Sequence, residues 1–244
     1  MTLDLSRIKA ICFDVDGTLS DTDDQWISSL EQRLRLFRWM FPRGNSRAFA
    51  RWAIMCAETP GNLVYHLLDR ANLDVLVGRL YNFLSRSKLG KKPRGFWVVN
   101  GVEQALCILN QHYPMAIVSA RDRAGTEAFL EQFQLQGYFR AVASALTCRF
   151  TKPFPDPVIW ATAQMGVAPE NCLMVGDTTV DIRAGRAAGA QTVGVLCGFG
   201  QENELRKAGA DLILPSTAML VETLLLSQAL NSPGSGLPDR TVTS

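Results

Sequence analysis

Short apolar runs alternate with helical patterns along most of the sequence, and this alternation restricts the fold more than any other feature. The predicted strands are residues 8–13, 115–118, 141–143, 172–175, 192–196 and 212–214, and the predicted helices are residues 102–111, 123–133, 156–165, 180–188 and 202–208. Strands that alternate with helices form a parallel sheet that is covered on both faces. We therefore predict an α/β fold with a Rossmann-like parallel sheet, whose ligands gather beyond the carboxyl ends of the strands.

Residues 22–94 interrupt the alternation directly after the first predicted strand. Their apolar residues, for example Ile27, Leu30 and Leu34, fall on helical faces, which predicts an all-helical insert. The tail is polar and rich in Pro, Gly and Ser, and we predict that it is disordered. The predicted division of the chain is an α/β core (residues 1–21 and 95–228), a helical cap domain (residues 22–94) and the tail (residues 229–244).

The composition argues against several classes of partner. A formal net charge of +2 with 20% charged residues gives no electrostatic reason to expect nucleic acid or an anionic membrane surface. No stretch approaches the roughly 20 apolar residues of a membrane span, and the first residues lack the pattern of a signal peptide. The six cysteines are scattered without a C-x-x-C pair, which favours free thiols in a reducing cytoplasm. We expect a cytoplasmic monomer or homodimer.

Four short polar segments each follow a predicted strand. Taken alone, each has an ordinary interpretation: a surface turn, a helix cap at the serine, a solvated lysine, and an acidic residue that stabilises a helix start. The segments are Asp14-Val15-Asp16-Gly17, Ser119-Ala120-Arg121, Lys152-Pro153 and Gly176-Asp177, the last continuing to Asp181.

Together, the four segments predict one site, because the carboxyl ends of parallel strands meet at the same edge of a sheet. Bringing their four aspartates close to one another would be unfavourable without compensating positive charge. Lys152 and a hard divalent cation would supply that charge. Mg²⁺ suits such a site, because it binds a few carboxylates and takes its other ligands from water and from substrate phosphate.

These motifs resemble those of the haloacid dehalogenase superfamily of phosphatases. The resemblance is carried by D-x-D-G-T, the strand-end serine, the lysine of K-P-x-P and G-D-x-x-x-D, in this order, and it covers residues 7–20 and 95–227. The stretch 194–211, which contains GFGQENELRKAGAD, further resembles the phosphoglycolate-phosphatase-like branch. An insert between the first and second motifs is what that superfamily calls a C1 cap.

The resemblance implies roles for the acidic residues. Asp14 attacks phosphorus and becomes an aspartyl phosphate. Asp16 protonates the leaving oxygen and then activates the water that hydrolyses the intermediate. Asp14, Asp177 and the backbone carbonyl of Asp16 bind Mg²⁺, while Asp181 supports the metal directly or through a neighbouring ligand.

The resemblance also implies that Ser119 and Lys152 hold the transferring phosphoryl group. Arg121 is a departure from the pattern, because many relatives carry a small polar residue and then a lysine after the strand-end residue. Two interpretations of Arg121 remain open: a further contact to the phosphate, or a surface residue.

The favoured function is a magnesium-dependent phosphatase that acts on a small phosphorylated metabolite. A phosphomutase that acts on a sugar phosphate is an alternative on the same scaffold, and a catalytically idle interaction protein is a third possibility from a different class. A dehalogenase is disfavoured, because Asp16 is an acid that phosphoryl transfer needs and dehalogenation does not. The sequence does not identify the substrate.

Overall fold

A parallel sheet of six strands forms the centre of the computed structural model, which describes residues 3–21 and 96–226. The strands lie in the order β3-β2-β1-β4-β5-β6, and every neighbouring pair is parallel. The predicted fold class is therefore confirmed. The strands are β1 (Ala10–Phe13), β2 (Met115–Val118), β3 (Phe139–Ala143), β4 (Cys172–Gly176), β5 (Gln191–Val195) and β6 (Leu212–Leu214).

Five α-helices connect the strands of the described sheet, close to the predicted positions. Three of them end at glycines in the left-handed region, with φ of +69° at Gly166, +86° at Gly189 and +97° at Gly209, a conformation that other residues adopt at a cost. The helices are α1 (Val102–Leu109), α2 (Arg123–Gln132), α3 (Asp156–Met165), α4 (Thr179–Ala188) and α5 (Glu202–Ala208). The predicted cap (22–94) and tail (229–244) lie outside the described residues.

Strand β1 starts two residues later than predicted. Residues Leu5–Arg7 form a 3-10 turn instead, which Asp4 caps by accepting the Ser6 N–H at 3.1 Å. The capping carboxylate satisfies a backbone donor that would otherwise lack a partner. The Ile8 N–H closes the turn by donating to the Leu5 carbonyl at 3.3 Å, so it is not available for pairing in the sheet.

Strand β1 is buried on both faces and separates two parts of the core. Ile11 and Phe13 belong to a cluster of large side chains that includes residues of α1 and α2. Ala10 and Cys12 belong to a second cluster, which includes residues of α3 and α4. Burial on both faces explains why the strands appear in the sequence as continuous apolar runs.

Backbone hydrogen bonds join the two described segments that flank residues 22–95. The Asp21 N–H donates to the Trp97 carbonyl at 2.8 Å, and the Val99 N–H donates to the Leu19 carbonyl at 2.9 Å. Ser20 and Val98 form an antiparallel bridge between them. We call residues 19–21 and 97–99 the stem. The stem holds the chain segments on either side of residues 22–95 against each other.

Five cysteines lie in the described ranges and all are free. Cys12 and Cys172 lie on neighbouring strands, and the Cys172 thiol donates a hydrogen bond to Sγ of Cys12 at 3.5 Å. Within residues 3–21 and 96–226, no helix combines the length and apolar character that crossing a membrane requires.

We expect Gly185→Ala to destabilise the fold, because Gly185 in α4 lies directly against the sheet. A Cβ there would lie 2.7 Å from Cγ2 of Thr192 and 2.8 Å from Cβ of Met174. Overpacking typically costs about 1–3 kcal/mol, more than the roughly 1 kcal/mol by which a helix prefers Ala to Gly. Urea denaturation should therefore show a lower free energy of unfolding. Gly137→Ala is the control, because nothing lies within 4 Å of its added Cβ; equal results for the two variants would contradict the tight packing of α4.

Candidate functional site

Asp14 and Asp177 lie side by side at the carboxyl ends of two central strands. Asp14 follows β1 and Asp177 follows β4, its neighbour, and the Asp14 N–H donates to the Val175 carbonyl at 2.9 Å. The strands that follow β1 in the sequence, β2 and β3, lie on one side of it, and β4, β5 and β6 lie on the other side. Open α/β sheets bind their ligands at such a point, where the strand order reverses. Asp14 and Asp177 therefore lie where the sequence predicts the ligand site, beyond the carboxyl ends of the strands.

Lys152 is the buried cation of this site. Its Nζ lies 2.7 Å from Oδ1 of Asp14 and 2.6 Å from Oδ1 of Asp181, and its side chain is only 3% exposed. The interpretation of Lys152 as a solvated lysine is therefore excluded. Burial lowers the pKa of Lys152, but the carboxylates of Asp14 and Asp181 outweigh burial and raise it above its usual value. The ammonium group stays charged.

Asp14 is buried beside this ammonium group. Burial raises the pKa of Asp14 to about 8, and the carboxylates of Asp181 and Asp16 act in the same direction, whereas Lys152 lowers it. In the metal-free protein, burial therefore favours the protonated form of the Asp14 carboxyl group more than in an exposed aspartate. A bound cation would favour the ionised form, so binding of a cation and loss of this proton are coupled.

Asp181 is an acidic residue at a helix start and, in addition, a member of the site. Its Oδ2 accepts the Thr178 N–H at 3.0 Å and the Thr178 hydroxyl at 2.7 Å, which caps α4. Its Oδ1 accepts the Lys152 ammonium. Gly176 leaves the necessary room, because a Cβ there would overlap the Asp181 side chain.

Asp177 is held by residues that the sequence analysis did not assign to the site. Its Oδ2 accepts the Phe199 N–H at 2.8 Å, and its Oδ1 lies 3.5 Å from the Thr18 hydroxyl. A Cβ on Gly198 would overlap the Asp177 carboxylate and lie 2.6 Å from the Gly17 carbonyl oxygen. In the sequence, this loop begins the stretch GFGQENELRKAGAD, in which two glycines flank Phe199.

Asp16 and Arg121 form an ion pair beside the buried cluster. The Arg121 Nε donates to Oδ2 of Asp16 at 3.0 Å, and Nη2 donates to Oδ1. The Arg121 side chain is 13% exposed and that of Asp16 is 33% exposed. Arg121 is therefore not a surface residue. The contact of Arg121 to a phosphate stays a prediction.

Ser119 directly follows β2 and is 3% exposed. Its Oγ accepts the Arg121 N–H at 3.1 Å. Helix α2 begins only at Arg123, with Asp122 at the capping position, so the interpretation of Ser119 as a helix cap is wrong. The contact to a phosphoryl group stays a prediction.

Three of the predicted metal ligands share one location. Asp14, Asp177 and Asp181 are buried, and one carboxylate oxygen of each lies within 4.8 Å of the others. With Asp16, the described site holds four carboxylates against two ion-paired cations, Lys152 and Arg121. Oxygen ligands and uncompensated negative charge fit a hard divalent cation. The Asp16 side chain lies outside the group of three.

Comparisons with known proteins point to one family. The model of the haloacid dehalogenase-like hydrolase family matches residues 11–195. A phosphoglycolate phosphatase of Nitrosococcus oceani is 29% identical over 235 residues, which cover 92% of this chain and 99% of that protein. Pyrophosphatase PpaX of Halalkalibacterium halodurans is 28% identical over 218 residues, or 88% and 96% of the two chains.

The fold has close structural counterparts as well. A solved hydrolase of the haloacid dehalogenase family from Deinococcus radiodurans has a TM-score of 0.62 at 22% identity, and the match covers 91% of this chain and 97% of that one. At this level of identity, the match demonstrates a common fold.

The buried carboxyl of Asp14 should make the stability of the metal-free protein depend on pH. Its pKa is about 8 in the folded chain against 3.8 for an exposed aspartate, so between these values only the folded chain holds the proton. The free energy of unfolding then falls as the pH rises, by at most about 1.4 kcal/mol per pH unit. Asp14→Asn removes this proton, and we expect its stability relative to the wild type to increase between pH 5 and pH 8.

Urea denaturation in the presence of a chelator, at pH 5, 6.5 and 8, measures this difference. Glu131→Gln is the control, because it makes the same change of acid to amide on an exposed side chain. Parallel stability profiles for the wild type and Asp14→Asn would contradict the effect of burial on Asp14.

Proposed function

This chain belongs to the haloacid dehalogenase-like hydrolases, as its motifs predict, and from that premise we propose that it is a magnesium-dependent phosphatase. In this proposal the substrate is a small phosphate monoester, and the reaction passes through a phosphorylated Asp14. One observation carries the proposal: the Lys152 ammonium lies buried between Asp14 and Asp181, at the edge of a cluster of carboxylates that could hold a metal. The names of the relatives, phosphoglycolate phosphatase and pyrophosphatase, support it.

The proposed metal ligands are the carboxylates of Asp14 and Asp177 and the backbone carbonyl of Asp16. Both oxygens of Asp181 already accept hydrogen bonds, from Thr178 and Lys152, so we assign Asp181 to positioning these groups. When bound, Mg²⁺ would supply positive charge that stabilises the transferring phosphoryl group.

The protein groups then act in two steps. In the first, an oxygen of Asp14 bonds to phosphorus while the bond from phosphorus to the leaving oxygen breaks, and Asp16 gives that oxygen a proton. In the second, Asp16 takes a proton from a water molecule, whose oxygen displaces Asp14 and releases inorganic phosphate. Lys152 and Ser119 hold the phosphoryl oxygens throughout.

We also infer that the protein works in a reducing compartment such as the cytoplasm. Support comes from the scattered cysteines, which include no C-x-x-C pair, and from the free thiols of Cys12 and Cys172. Disulfides are rare where glutathione and thioredoxin keep thiols reduced.

The proposed function is tested by phosphate release over a panel of small phosphorylated metabolites, with Mg²⁺ present. Release of inorganic phosphate supports a phosphatase. Isomerisation of a sugar phosphate without release would indicate a phosphomutase instead. No turnover across the panel, together with no binding of Mg²⁺, would favour a protein without catalytic function.

We expect Asp16→Asn to trap the phosphorylated enzyme. An aryl phosphate has a leaving group that needs little protonation, so Asp14 can still be phosphorylated, but no base then activates water. Intact-mass spectrometry should show one added phosphoryl group, which disappears when Asp14→Asn is combined with Asp16→Asn. Asp14→Asn by itself should retain less than about a hundredth of the wild-type turnover. Normal turnover by Asp16→Asn would remove Asp16 from its role.

Chelation should abolish phosphate release, and Mg²⁺ but not Ca²⁺ should restore it, because Ca²⁺ takes more ligands at longer distances. Gly198→Ala places a Cβ against the Asp177 carboxylate. We expect the Mg²⁺ concentration for half-maximal activity to rise by about 10- to 100-fold, the usual effect of disturbing groups that orient metal ligands. Gly137→Ala is the control. Full activity of the wild type in excess chelator would overturn the metal assignment.

A further inference from the structure

Hydrogen bonds of its backbone N–H and carbonyl groups hold Arg121 in place. The Arg121 N–H donates to Oγ of Ser119 at 3.1 Å, and the Arg121 carbonyl accepts the Ala145 N–H at 3.0 Å. The backbone is therefore tied to the end of β2 and to the loop that follows β3. From this backbone position, the Arg121 side chain extends to Asp16.

The ring of Phe96 packs against the guanidinium group of Arg121. The Cζ of Arg121 lies 4.9 Å from the centre of the Phe96 ring, which is a cation–π contact. Phe96 is itself held by Gln132, whose amide accepts the Phe96 N–H at 3.2 Å and donates to its carbonyl at 2.8 Å. Because the guanidinium group is already ordered, it would lose little conformational entropy on binding a ligand.

The ion pair with Asp16 uses only one edge of the guanidinium group. A guanidinium group has five N–H donors, and Asp16 accepts one from Nε and one from Nη2. Within residues 3–21 and 96–226, both hydrogen bonds of the Arg121 side chain go to Asp16, which leaves Nη1 without an acceptor there. Nη1 and the second hydrogen of Nη2 form another fork, which matches the two oxygens of a carboxylate or a phosphate.

We propose that Arg121 determines substrate specificity by binding a second anionic group on the leaving group. This inference rests on the proposed function, in which Asp16 meets the leaving oxygen. The open fork shares Nη2 with the edge that binds Asp16, so it lies directly beside that carboxylate. The substrates favoured are phosphate compounds whose leaving group carries a carboxylate or a phosphoryl group a few bonds from the scissile oxygen.

Electrostatics supports this assignment. A substrate with a second negative charge must approach four carboxylates, and Lys152 is buried between two of them. Arg121 is the more exposed of the two cations that the described residues pair with these carboxylates. It is therefore the cation placed to offset a charge on the leaving group.

A matched pair of substrates tests the proposal. 2-Phosphoglycolate and 2-hydroxyethyl phosphate have similar leaving groups, one with a carboxylate and one with a neutral hydroxymethyl group. For each, kcat/KM is measured with the full-length, magnesium-loaded wild type and with Arg121→Gln, Arg121→Lys and Arg123→Gln. Arg123 lies two residues along the chain, is 77% exposed and pairs with Glu127, so its variant is the control.

We expect the wild type to prefer the charged substrate. Arg121→Gln should lower that preference by about 10- to 100-fold, the usual effect of losing a charge-assisted hydrogen bond, and Arg121→Lys should lower it less, because it keeps the charge but loses the fork. Arg123→Gln should leave the preference unchanged. Thermal unfolding checks that each variant is folded.

Four results would overturn the inference. An equal fall of kcat/KM on both substrates would show that Arg121 only positions Asp16, and an unchanged preference in a folded Arg121→Lys would exclude the fork even if Arg121→Gln does not fold. A wild type that hydrolyses the neutral ester equally well would refute the inference and leave the proposed function standing. Release of phosphate from no compound of the metabolite panel would overturn both.

Discussion

The buried ammonium group of Lys152 is the interaction on which the rest of the site depends. Asp14, Asp177 and Asp181 are removed from water at one edge of the sheet, and an uncompensated buried charge costs several kcal/mol. Lys152 neutralises part of this charge through two contacts of 2.6–2.7 Å. Because the carboxylates already face a common point, a divalent cation could bind without a large rearrangement.

The two aspartates of the first motif lie in different surroundings although they are only two positions apart. Asp14 is buried and contacts Lys152, whereas Asp16 is one-third exposed and contacts Arg121. Each carboxylate thus has its own cation and its own exposure to water. Such a difference suits a division of labour between a nucleophile and a group that exchanges protons with solvent, because environment sets what a carboxyl group can do.

Much of this arrangement could be predicted from the sequence, for a physical reason. Strands buried on both faces are continuous apolar runs, so all six begin and end within two residues of their predicted positions, and Asp14 and Asp177 directly follow strands. The contact between Arg121 and Asp16 could not be predicted, because it joins residues 105 positions apart through side-chain conformations. The donor to Asp177 is a backbone N–H of Phe199, a group that every residue but proline carries.

The stem has a consequence for how such a protein can diversify. Its backbone hydrogen bonds join the two ends of the sheet domain that flank residues 22–95. The entropy of closing a loop grows only slowly with length, so a longer or shorter segment would change the stability of the sheet domain little. Sequence between Asp21 and Phe96 can therefore be exchanged through evolution while the catalytic edge stays intact, which allows a single reaction chemistry to acquire many substrates.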